Sequence, residues 1–249
     1  MAKKKKSSKK KAISPSLFKV TGPDAKLKVT AKKKLYYFGP KVKPEKAKKL
    51  AAGTGSEIFG VSGSALKVGT PTLKYEFYIN CDCTAEKKFL SVRGQEIGVQ
   101  DEMVAALVGK TVITPKKAKE PPMKRIDLDI IELYEAKRTD TMVYDGRTGS
   151  PARVMEKIVK GAGKKAASAS WIRKAKIAPG KFNSLEKFLK VYTKNASVRP
   201  KSVKRTTEQT LNFKKLEGHY VPTYYVKVAA GADSRTLRVN AISGTVALA

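Results

Sequence analysis

Positive charge in this chain is gathered at two places, and that partition limits where a core can be built. Residues 1–50 carry eighteen Lys and two acids, and residues 151–217 carry eighteen Lys or Arg against four acids. Residues 51–150 carry fourteen of each sign. An excess that served solubility alone would mix its signs over the whole surface. Two concentrated blocks imply an anionic partner for both, and they leave the neutral stretch between them as the natural place for a sheet domain.

The second block repeats one arrangement. In SPARVMEKIVKGAGKK, Ser150 is placed to cap a helix and Pro151 fits its first position. Met155, Ile158, Val159 and Ala162 then line one face, while Arg153, Lys157, Lys160 and Lys164 line another. A second helical pattern, about 165–176, carries Lys165 and Arg173 outside and Trp171, Ile172 and Ala175 inside. A third is announced by Asn183 and Glu186, with Leu185, Phe188, Leu189 and Tyr192 as its apolar stripe. Lys187, Lys190 and Lys194 share its outer face. VRPKSVKR follows, with Lys204 and Arg205. Three short amphipathic helices with cationic outer faces are expected to meet polyanions through counterion release.

The first block begins with MAKKKKSSKKK, whose Lys3, Lys4, Lys5, Lys6, Lys9, Lys10 and Lys11 have nothing beside them to bury. Two strand patterns follow, SLFKV and KLKVTAKKKLYYF, the second holding Lys32, Lys33 and Lys34. The glycines of Gly53–Gly69 fit neither a phosphate-binding loop nor a kinase glycine loop. No Gly-Lys-Ser/Thr ending is present, and Lys67 follows the glycines too closely. A flexible glycine loop is expected there.

Leu73, Tyr75, Phe77, Ile79 and Cys81 alternate with polar neighbours and predict a strand. Lys88–Val92 predicts a partner for it, and Asp101–Val108 a short helix. Lys116–Lys124 reads as a linker. Arg125–Tyr134 predicts a bent or bulged strand whose Asp127, Asp129, Glu132 and Glu135 are solvated or paired with the protein's own lysines. The residues after Tyr220 predict a β meander with an edge at Leu248.

Two Cys and one His leave no metal or disulfide framework to expect. Cys81 and Cys83 share one strand face and predict buried, idle thiols, and His219 a structural role. Free thiols, with no signal peptide and no long apolar run, point to a soluble, reducing compartment: virion, nucleus or cytoplasm, not secreted, with no membrane span. Only ten of the 53 basic residues are Arg, which favours neutralisation of charge over reading of bases.

The expected fold is therefore α+β. Residues 1–15 form a Lys-rich extension, 16–145 an antiparallel β domain with a Gly-rich loop and one short helix, 146–217 a basic three-helix segment, and 218–249 a C-terminal β meander. The layout resembles, in composition, that of ribosomal proteins and of virus core or minor capsid proteins. The expected function is that of a non-enzymatic structural subunit of a large assembly, without cofactor. It would bind nucleic acid, DNA or RNA, or acidic protein surfaces, beside other subunits. A DNA-binding regulator with a helix-turn-helix variant at 151–195 is the alternative of a different class.

Overall fold

The computed structural model of the chain describes residues 13–121 and 123–249. Of these residues 49% are strand and 21% helix, and the sheet is mainly antiparallel. In chain order the elements are β1 (Lys28–Phe38), α1 (Pro44–Phe59), β2 (Leu66–Val68), β3 (Thr72–Val99), β4 (Ala106–Val108), β5 (Thr111–Ile113) and β6 (Lys116–Lys117). They continue with β7 (Lys124–Asp145), α2 (Glu156–Lys160), β8 (Lys164–Ala166), α3 (Ala169–Lys174), α4 (Leu185–Ala196), β9 (Val203–Ala230), β10 (Asp233–Asn240) and β11 (Val246–Leu248). The strand order is β11-β10-β9-β3-β7-β6; β1 and β2 also pair with β9, and β8 pairs with β1. The C-terminal meander thus joins the sheet. No helix among the described residues is long and apolar enough to cross a membrane.

The chain divides into two compact units. One holds the described residues up to Lys28, Glu86–Lys137 and Ser197–Thr210; the other holds Val29–Ala85, Arg138–Ala196 and Leu211–Ala249. In the second unit, Ala47 and Ala51 of α1 are buried with Tyr224, Val226, Val228, Leu237 and Val239 of β9 and β10. A separate cluster joins Phe38, Tyr78, Val143, Ala152, Met155, Val159 and Val221. Both faces of β3 are covered from Glu76 to Cys81, so the alternation of this strand separates two buried layers rather than core from water. Cys81 and Cys83 are free and buried.

The first unit has a thinner core. Leu90, Ile126 and Val203 are its buried apolar residues among those described. Its N-terminal segment is tied down by polar contacts instead: Asp24 accepts from the backbone N–H of Thr206 at 2.7 Å and pairs with Arg199 at 3.1 Å. Gln209 donates to the carbonyl of Ala25.

Several local expectations are corrected. The first part of the stretch expected to be a glycine loop belongs to helix α1, which starts at Pro44 and ends on Gly60 in the left-handed conformation, φ 63°, and its last part to a 3-10 turn, Gly63–Ala65, and β2. SLFKV is not a strand, because Pro15 opens a 3-10 turn over Pro15–Phe18. Asp101–Val108 is a turn leading into β4, which pairs with the β-branched residues of β5 across Gly109 at φ 63°. The Lys116–Lys124 linker begins as β6, which pairs with Arg125 and Lys124 of β7. The partner expected at Lys88–Val92 is the continuation of β3 itself.

The 146–217 segment is only partly helical. Pro151 bridges Tyr144, so the first helix is reduced to a 3-10 turn, Arg153–Met155, and α2. Lys164–Ala166 is drawn into the sheet beside β1, which delays the second helix to Ala169. Residues from Val203 onward are β9.

Candidate nucleic-acid interface

Strand β1 changes character along its length. Lys32, Lys33 and Lys34 are exposed, Leu35–Tyr37 are half-buried, and Phe38 is buried. The aromatic end docks in the core while the lysine stretch stays in water, which also guards a sheet edge against unwanted pairing. Strand β8 lies antiparallel to that aromatic end, with Tyr37 opposite Lys165 and Phe38 opposite Lys164. Lys165 is exposed. Lys164 is half-buried, its Nζ 4.7 Å over the ring of Tyr36 and 3.5 Å from Glu217 Oε2.

Each of the three helices is held to this region by its apolar side. Met155 and Val159 of the α2 region enter the cluster with Phe38, which leaves Arg153, Lys157 and Lys160 exposed. Lys160 meets Glu156 one turn back at 2.8 Å, a surface pair of little energetic weight. Helix α3 is capped by Ser168, whose Oγ accepts from the N–H of Trp171. Trp171 stacks on Tyr37 at 4.3 Å and meets Tyr75 edge-on at 4.9 Å, so it belongs to the packing of α3 on the sheet. Arg173 stays exposed and donates weakly, at 3.4 Å, to the carbonyl of Ala169.

Helix α4 buries Leu185 and Phe188, the latter among Tyr144, Phe182 and Tyr192. Ser184, not Asn183, caps it: the Ser184 Oγ accepts from the N–H of Lys187. Lys187, Lys190 and Lys194 are exposed on its outer side. Glu186 pairs with Lys33 at 3.0 Å, which joins the start of α4 to the lysines of β1. That lysine is the main reason why the Glu186 carboxyl lies below its ordinary range.

The second unit therefore gathers Lys32–Lys34, Arg153, Lys157, Lys160, Lys164, Lys165, Arg173, Lys187, Lys190 and Lys194. It holds twenty-nine Lys or Arg against ten Asp or Glu. Carboxylates inside it can neutralise only a minority. The exposed face of α1 adds Lys46, Lys48 and Lys49. Sequence reasoning missed these, although the i, i+4 repeat of Ala47, Ala51 and Gly55 carried the signal of a helix packed closely on that side.

The first unit is different. Its described residues carry seventeen cations and eleven acids, and many of them meet each other. Asp127 pairs with Lys116 at 2.8 Å, Glu132 with Arg93 at 2.9 Å, Glu135 with Lys88 at 2.7 Å and Glu96 with Arg125 at 3.0 Å. Three carboxylates of the acidic strand patch, Asp127, Glu132 and Glu135, are thus paired with the protein's own cations. Lys204 is exposed, whereas Arg205 is half-buried and donates to the carbonyls of Lys19 at 2.8 Å and Pro23 at 3.4 Å. Its guanidinium fastens the N-terminal segment. The tail lysines, Lys3–Lys6 and Lys9–Lys11, lie outside the described residues.

The helices do not form a helix-turn-helix. That motif needs two helices joined by a turn of three or four residues. Here α2 has five residues and α3 six, strand β8 lies between them, and ten residues separate α3 from α4. Among the described residues, no three or more His, Cys, Asp or Glu side chains converge as metal ligands would. No protein-family model, curated protein or solved structure matches this chain.

Proposed function

We propose that the chain is a non-enzymatic, highly basic structural subunit of a large assembly, such as a minor capsid or core protein of a virion or another nucleoprotein particle, and that it holds nucleic acid through its lysines. The observation that carries this reading is the gathering of exposed cations from β1, β8 and three helices in a unit where Lys and Arg together outnumber Asp and Glu almost three to one. Helices too short to stand alone are fixed by rings and apolar side chains, so their lysines are presented on a firm support. The driving force is release of counterions from phosphates as lysines replace them. The tail lysines belong to the same reading as a second contact.

The test is the salt dependence of binding to a labelled duplex of about twenty base pairs. The log of the affinity should fall linearly with log salt. Lys32→Gln and Lys34→Gln combined with Lys187→Gln and Lys190→Gln should reduce that slope by about 3 to 4, close to 0.9 for each lost contact. A salt-independent affinity, or a slope that these four changes leave untouched, would overturn the proposal.

A further inference from the structure

Beyond charge, proteins read nucleic acid with two kinds of group: arginine forks that fit base edges, and open aromatic faces on which unstacked bases lie. The gathered cations of the second unit have little of either. Of the unit's twenty-nine Lys and Arg, twenty-three are lysines and six arginines. The rings among them already have partners. Tyr36 lies beneath Lys164 and stacks with His219 at 5.4 Å, while Tyr37 and Trp171 cover each other at 4.3 Å. Trp171 is closed further by Tyr75 and by Tyr220 at 5.4 Å.

No aromatic residue of the second unit is exposed. Among the described residues the one exposed ring is Tyr134, in the other unit. It stacks on Phe89 at 5.3 Å and donates its hydroxyl to Glu132, so it too already has partners.

From this we infer that the cation-rich second unit is a receptor for double-stranded nucleic acid, gripped by its phosphates alone and blind to sequence. This rests on the polyanion-binding reading above and narrows its ligand. A duplex presents about one negative charge per 1.7 Å, twice the density of one strand, and lysines respond to that density. Single-strand binders make up for the lower density by stacking bases on free rings, which this unit does not offer. DNA and RNA duplexes share the recognised chemistry.

Trp171 is the single tryptophan, so its emission reports directly on base stacking beside α3 and β1. The full chain is titrated at low salt with DNA and RNA duplexes of about twenty base pairs and with each of their separate strands, and both anisotropy and Trp171 emission are followed. Both duplexes should bind at least about tenfold more tightly than their strands, with Trp171 emission unchanged and with unrelated duplex sequences competing equally. Strands that bind as tightly as duplexes, Trp171 quenching by a single strand, or one duplex sequence preferred over others would each overturn the inference while leaving polyanion binding intact. Failure of every nucleic acid to bind would instead overturn the proposed function beneath it.

Discussion

His219 has an environment that denies it a proton. It is fully buried, both ring nitrogens lack a hydrogen-bond partner, and Nε2 stands 3.4 Å from Glu217 Oε2 without the alignment of a hydrogen bond. Burial first and the charge of Lys164 second lower its pKa to about 4, against an opposing pull from Glu217. The unfolded chain, titrating near 6.5, then binds the proton that the folded chain refuses. Stability should therefore be undiminished by His219 above about pH 6.5 and fall as pH drops toward 4, by up to about 3 kcal/mol over that window. Urea midpoints across this range measure it, and His219→Phe should flatten the decline. An equally steep decline in that variant would move the cause elsewhere. The burial of Cys81 and Cys83 was legible because both fall on one face of a strand that alternates apolar and polar residues. The role of Arg205 was not, since the carbonyls that take its protons belong to Lys19 and Pro23, far away in the chain.

At the level of elements, glycine misleads in α1. A glycine-dense stretch reads as a loop because glycine disfavours helix by about 1 kcal/mol. Here Gly55 continues the small-residue face of Ala47 and Ala51, and a Cβ on it would lie 2.7 Å from Cγ1 of Val228. Gly53 sits on the same helix with nothing within 4 Å of the corresponding position. The two glycines should respond in opposite directions. Gly53→Ala should stabilise by about 0.5–1 kcal/mol through helix propensity, and Gly55→Ala should destabilise by about 1–2 kcal/mol because overpacking exceeds the same gain. Chemical denaturation of both variants decides it; stabilisation by Gly55→Ala would mean that the close approach of helix and sheet does not constrain the residue. Other elements were hidden for related reasons. Strand β3 runs past Cys83, where its alternation fades into half-buried and exposed residues, and α3 starts late because β1 claims Lys164–Ala166 as a strand. Local periodicity records one-sided burial well, and it carries no signal of either feature.

Over the whole molecule, a formal charge of +32 has to be held together. Two salt effects oppose each other. Screening weakens the exposed ion pairs of the first unit, each worth about 0–1 kcal/mol, and it also relieves repulsion among the cations of the second. Because the second unit holds twenty-nine cations to ten acids, like-charge pairs there outnumber opposite ones, and relief should outweigh loss. Raising sodium chloride from about 20 to 500 mM, which shortens the screening length to well under 10 Å, should thus raise the midpoint of thermal unfolding by several degrees. Phosphate at matched ionic strength should raise it further, since an anion that binds the folded cation cluster adds its own linkage. A midpoint that falls with salt would show that the ion pairs dominate and that the cations are far enough apart to ignore one another. In that case they would also be too dispersed to grip a single polyanion, so this measurement on the free protein bears directly on whether the basic unit can act as one surface.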